Sequence, residues 1–147
     1  MSGIRLAELC NLRIQDIKYD NSCLRIVGKG DKERLVAVSK QLLDILHSYL
    51  AQQYTTKINL IDKDSKVFPK DRRGIERIIE IAAERAGITD KHITPHTLRH
   101  TYASRAYKKG MNLANLRDQL GHENIATTNI YTHTDIEERK SNLPEGI

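Results

Sequence analysis

Hydrophobic residues recur along this chain with two spacings, and the switches between them mark out its elements. In 40-KQLLDILHSYLAQQY-54 the apolar positions Leu42, Leu43, Ile45, Leu46, Tyr49 and Leu50 fall on one stripe, which predicts a helix, and Ser39 is placed to cap its start. The same spacing returns in 75-IERIIEIAAERAG-87, through Ile75, Ile78, Ile79, Ala82, Ala83 and Ala86, and that segment ends on a glycine suited to a helix C-terminus. Thr94 as N-cap and Pro95 at the first helical position predict a further helix through 96-HTLRHTYASRAYKKG-110, which again stops at glycine. Shorter helices are expected over 113–121, from Asn124, and from 135 to about Leu143 before Pro144. Near the start, Ile4, Leu6, Leu9 and Cys10 share one helical face.

Period two appears once. The stretches 23-CLRIVG-28 and 34-RLVAVS-39 alternate apolar and polar residues around 28-GKGDKE-33, the pattern of a β-hairpin with a glycine-rich turn and Lys29 at its tip. The polar run 55–66 reads as loop, and 67-VF-68 before Pro69 as a brief extended piece. The fold class expected is α+β and mostly α-helical, with helices around one small antiparallel β-sheet in a single domain over 1–147.

Composition narrows this picture modestly. A chain of 147 residues with 39% hydrophobic and 29% charged residues is globular in type. No apolar run approaches the roughly 18 residues that suggest a membrane span, so no membrane partner is expected. Cys10 and Cys23 stand alone in apolar-patterned stretches, the usage of a reducing compartment, and a cytoplasmic location is expected. The 24 Lys and Arg against 19 Asp and Glu leave a formal charge of +5, which suits a polyanion partner or simply a solvated basic surface.

The densest chemistry lies in 95-PHTLRH-100. His96, Arg99 and His100 are three and four residues apart on the predicted helix, so they project from about one quadrant. Two histidines at this spacing can ligate zinc, but Thr97 stands where a hydrolytic zinc helix carries Glu. An arginine fork beside a helix N-terminus equally suits a phosphate. Ordinary solvated helix surface is the third reading, and these six residues leave all three open.

Three further stretches bear on that choice: 2-SGIRLAEL-9, 26-IVGKGDKERLVAV-38 and 120-LGHENIATTNIYTHT-134. With 96-HTLRH-100 they closely resemble the tyrosine recombinase (phage integrase) family, particularly its Xer-like members. That family's ordered set is Arg, Lys, His-x-x-Arg, His or Trp, then Tyr, and the matching positions here are Arg5, Lys29, His96, Arg99, His122 and Tyr131. The resemblance runs from Arg5 to Tyr131.

The resemblance implies site-specific DNA strand cleavage and rejoining on double-stranded DNA, with neither metal nor cofactor. Tyr131 is then the nucleophile, Arg5 and Arg99 the clamps on the non-bridging oxygens, and Lys29 the acid for the leaving oxygen. His96 exchanges protons or donates to the phosphate, and His122 donates a hydrogen bond. Glu8 and His100 support these groups from behind. It also implies a catalytic domain truncated at its N-terminus, with the family's N-terminal core-binding domain absent from 1–147, and a homo-tetramer on DNA for the full-length protein while this chain alone is monomeric. Two other functions are weighed beside it: a truncated DNA-binding module without catalysis, and a metalloprotein built on His96, His100 and His122.

Overall fold

The computed structural model describes residues 2–53, 62–89 and 92–121. In chain order these form α1 (Leu6–Asn11), β1 (Ile17–Lys18), β2 (Cys23–Val27), β3 (Glu33–Ala37), α2 (Lys40–Gln53), α3 (Arg72–Arg85), α4 (Pro95–Lys108) and α5 (Leu113–Leu120). The architecture is the expected one, mostly helical with a single small antiparallel sheet among the described residues. The predicted helix from Asn124, the one over 135–143 and most of the loop 55–66 lie outside the described residues.

The sheet runs β1-β2-β3, with Leu24 paired to both Ile17 and Val36, and Ile26 to Arg34. Alternation along β2 and β3 turns Leu24, Ile26 and Val36 to one face, where α2 covers them with Leu43, Leu46 and Leu50. Leu12, Ile17 and Val67 complete this core. Each such apolar side chain contributes about 1.5–3 kcal/mol when fully buried. Both cysteines are buried free thiols. The hairpin is present with its strands slightly shorter than the alternating stretches, and β1 is an addition, since two residues are too few to carry a periodic signal.

Two apolar positions depart from the predicted stripes. Ile45 in α2 is 58% exposed and Ile78 in α3 is 51% exposed. Each helix packs through a narrower face than its apolar content allows, so α2 buries only Leu43, Leu46 and Leu50, and α3 buries Ile75. Local capping follows the sequence more closely. The Ser39 hydroxyl accepts from Leu42 N–H at 3.2 Å, and the Thr94 hydroxyl accepts from Thr97 N–H at 3.1 Å. The chain reverses after α3 and α4 through Ile88 N–H to Ala83 O and Met111 N–H to Ala106 O, both at 3.0 Å, which ends these helices on Gly87 and Gly110.

A second apolar cluster, Ala103, Leu116 and Leu120 with Tyr102 and Tyr107 against it, joins α4 to α5. Buried Gln119 ties it to the sheet. Its side-chain oxygen accepts from Ala37 N–H at 3.0 Å, while its amide nitrogen donates to Ala37 O at 2.7 Å and to the Tyr102 hydroxyl at 3.0 Å. Gln119 thus pairs with the outer edge of β3 as a strand residue would, satisfying an exposed N–H and C=O. This bond set fixes where the end of α5 sits relative to the hairpin.

Candidate active site

The start of α4 carries a complete N-terminal cap. Thr94 and Thr97 cap each other through their hydroxyls at 2.9 Å, and Pro95 occupies the first turn without an N–H to leave unpaired. Thr94, Pro95 and His96 form one wall of a cavity of about 370 Å³, with Arg99 one turn further along. Ile4, Arg5 and Leu6 form the facing wall, and Glu76 of α3 adds a carboxylate. The fold therefore brings Arg5 to one cavity with His96 and Arg99 from far along the chain, at the positive end of a helix dipole.

Three arginines meet at the end of α5. Arg34 Nε donates to Gln119 O at 3.4 Å, Arg99 Nη2 to Leu120 O at 2.8 Å and Arg5 Nη2 to Gly121 O at 2.7 Å. These are consecutive carbonyls in the last turn, where intrahelical partners run out and the helix dipole is negative, so guanidinium groups are favoured there. Gly121 itself adopts φ +68°, and a Cβ on it would lie 2.7 Å from Arg34 Cζ. His122 and Tyr131 both lie outside the described residues.

Arg99 is buried, and its Nη1 also donates to Gly3 O at 2.5 Å. Gly3 has φ +72°, and a Cβ there would stand 2.4 Å from the Tyr102 ring and 2.9 Å from Leu120 Cδ2. Gly3→Ala is accordingly expected to cost about 2–4 kcal/mol, from backbone strain plus overpacking, read as a lower urea midpoint. An unchanged midpoint would show that the Gly3 turn is not required for the fold.

Glu8 is buried beneath Arg5 and accepts four hydrogen bonds. Arg5 N–H reaches Oε2 at 2.7 Å and Arg5 Nη1 reaches Oε1 at 3.1 Å, while Arg34 Nη1 and Nη2 donate to Oε1 and Oε2, each at 2.8 Å. The carboxylate caps α1 and holds both guanidinium groups at once. Burial by itself pushes its pKa up, but the Arg34 fork and the Arg5 backbone N–H outweigh that, and the net pKa is lowered below 4.5. A carboxyl group whose folded pKa is depressed stabilises the fold above its unfolded pKa, and that stability is lost as pH falls through the lower folded value. The difference in urea midpoint between the wild type and Glu8→Gln should therefore be largest above about pH 5 and shrink steadily toward pH 3. A difference independent of pH would mean that Glu8 acts by shape rather than charge.

The remaining expected residues are placed as follows. Lys29 begins the tight turn Lys29–Asp31 that links β2 to β3. His96 is exposed in the cavity, whereas His100 is exposed one turn on and is not among the cavity's lining residues. No group of three or more His, Cys, Asp or Glu side chains is arranged to hold a metal ion among the described residues. No described helix is long and apolar enough to cross a membrane.

Sequence reasoning passed over Arg34, Glu76 and Gln119. Arg34 did leave a signal: it stands opposite Ile26 and two residues before Val36, so alternation assigns this arginine to the buried face of the sheet. A charge placed inward in that way needs a partner, and Glu8 is it.

Residues 1–138 match the model of the phage integrase family. The tyrosine recombinase XerC of Thermodesulfovibrio yellowstonii is 38% identical over 143 residues, which cover 92% of this chain and 47% of that protein. The crystal structure of the XerA recombinase superposes with a TM-score of 0.81 at 34% identity, covering 99% of this chain and 55% of that one. XerH in a pre-cleavage complex with its difH substrate gives a TM-score of 0.71 at 28% identity over 96% of this chain and 43% of that one. The chain spans about half the length of the curated relatives it matches.

Proposed function

From the premise that the chain belongs to the phage integrase family, we propose that it carries the catalytic centre of a site-specific DNA recombinase, acting on double-stranded DNA through a covalent 3′-phosphotyrosyl intermediate. The observation that carries this reading is the convergence of Arg5, His96 and Arg99 on one cavity at the N-terminus of α4.

A phosphodiester is anionic and resists attack, so strand exchange needs charge neutralisation, a nucleophile and a proton for the departing oxygen. Arg5 and Arg99 are the clamps on the two non-bridging oxygens, since each offers a planar fork that lysine lacks. The Tyr131 phenol oxygen attacks phosphorus in line and its proton passes to His96, whose imidazole nitrogen can accept it. The bond from phosphorus to the 5′ oxygen breaks, and that oxygen takes a proton from Lys29 on the hairpin turn. His122 donates a hydrogen bond to the phosphate. One phosphate ester is exchanged for another, so neither ATP nor a metal ion is consumed, and attack by a second 5′-hydroxyl reverses the sequence to join new strands. Glu8 holds Arg5 in place, and His100 supports α4 from outside the cavity. The full-length protein is expected to act as a homo-tetramer on DNA, and this chain alone to be monomeric.

The test is a nicked duplex whose cleavage releases a short fragment and so prevents religation, incubated in the presence of a chelator. A covalent protein–DNA adduct at one protein per cut strand is expected, with the DNA 3′ end on a tyrosine. Salt-sensitive binding with no adduct on any such substrate would replace this reading with that of a binding module.

A further inference from the structure

The cluster behind the cavity holds one carboxylate and two guanidinium groups, and the two are not equivalent. Arg34 meets Glu8 with a symmetrical fork, 2.8 Å to each oxygen, and turns its Nε to Gln119 O. Its side chain is only 16% exposed, and it does not line the cavity. Arg5 makes a single, longer side-chain contact with Glu8 at 3.1 Å, is 44% exposed and does line the cavity. The negative charge of Glu8 is therefore met chiefly by Arg34. Among the described residues, Glu8, Arg5 and Arg34 together carry one net positive charge, and the part of it facing the cavity is on Arg5.

We propose that Arg34 is a positioning residue for strand cleavage: by answering the charge of Glu8, it leaves the Arg5 guanidinium positive and turned into the cavity to receive the phosphate. This rests on the reading of Arg5 as a phosphate clamp. Without Arg34, Glu8 keeps Arg5 as its counterion; the two would close into a fork of their own, and Arg5 would leave both Gly121 O and the cavity. Glu8 is buried, so this internal competition is screened less than one between two surface charges. The strand bearing Arg34 also continues directly from the Lys29 turn, and the Arg34 guanidinium packs on Gly121 just before His122. One side chain thus sets the charge of Arg5 and bridges the hairpin to the end of α5.

The experiment is a double-mutant cycle on Arg34→Met and Glu8→Gln, with Arg34→Lys as the charge-keeping variant. Two measurements are made: the rate of adduct formation on the nicked duplex, and the titration of the Arg5 side-chain NεH resonance with inorganic phosphate. Arg34→Met, which lowers the cluster charge to zero, is expected to slow cleavage and weaken phosphate binding at Arg5, each by about tenfold or more. The double variant restores the net charge and should regain at least about fivefold over Arg34→Met in phosphate binding at Arg5, without the cleavage rate that Glu8 secures by holding Arg5 in place, while Arg34→Lys should stay within about threefold of wild type in both. If Arg34 served packing alone, the double variant would bind phosphate as weakly as Arg34→Met or worse, and that result overturns the proposal. The two readings separate cleanly: a wild-type chain that forms no adduct removes the catalytic assignment, while the Arg5 titration still decides the role of Arg34. Unchanged phosphate binding in Arg34→Met would refute it.

Discussion

Tyr131→Phe is expected to abolish the covalent DNA adduct, by at least about 10³-fold, while leaving salt-dependent DNA binding within about twofold of wild type. The substitution removes one oxygen and nothing else, so a loss of cleavage without a loss of binding identifies the nucleophile. The described tyrosines each make their contacts elsewhere. Tyr102 and Tyr107 lie against the α4–α5 cluster, Tyr102 with its hydroxyl bonded to Gln119. The Tyr49 ring sits 5.3 Å from that of Phe68, and Tyr19 meets His47 edge-on, with burial pushing its phenol pKa up and so away from the phenolate. None of these four lines the cavity. An adduct that persists at the wild-type level in Tyr131→Phe would overturn the assignment, and peptide mapping of the adduct would then name the residue responsible.

Arg99→Lys is expected to fail in two ways at once. The positive charge remains, but an ammonium group cannot reach Gly3 O and Leu120 O together while also facing the cavity, so both carbonyls are left poorly satisfied in a buried place. A destabilisation of about 2–4 kcal/mol should appear as a lower urea midpoint. Cleavage should fall by about 10²–10³ under conditions where the variant is still folded, the scale of losing one preorganised donor to a developing charge. Arg5→Lys provides the contrast. Arg5 is exposed, so its replacement should cost comparable activity with a stability loss under about 1 kcal/mol. Cleavage by Arg99→Lys within about threefold of wild type would remove Arg99 from the clamp.

Several features were readable without coordinates because they depend on residues close by in the sequence. The Thr94–Pro95 helix start, the Ser39 cap, the glycine stops after α3 and α4, and the hairpin around Gly28–Glu33 all arise from short-range hydrogen bonds and strict periodicity. The order of Arg5, Lys29, His96, Arg99, His122 and Tyr131 is also a property of the chain alone. Apolar periodicity was less precise: Ile45 and Ile78 satisfy the stripe yet face solvent, since the helix pattern does not say how wide the partner surface is.

What only the tertiary structure decided is how those residues meet. The carbonyls of Gln119, Leu120 and Gly121 take arginines from β3, α4 and the N-cap of α1 respectively, and no local pattern announces contacts between residues 21, 85 and 116 positions apart. The same holds for Gln119 on the edge of β3 and for Glu8 shared between two guanidinium groups. Side-chain identity determines which groups can bond, and short-range geometry determines which helix or strand presents them. Which of the many possible partners each finds is settled by how α5 packs on α4 and on β3, a long-range event that periodicity along the chain does not encode.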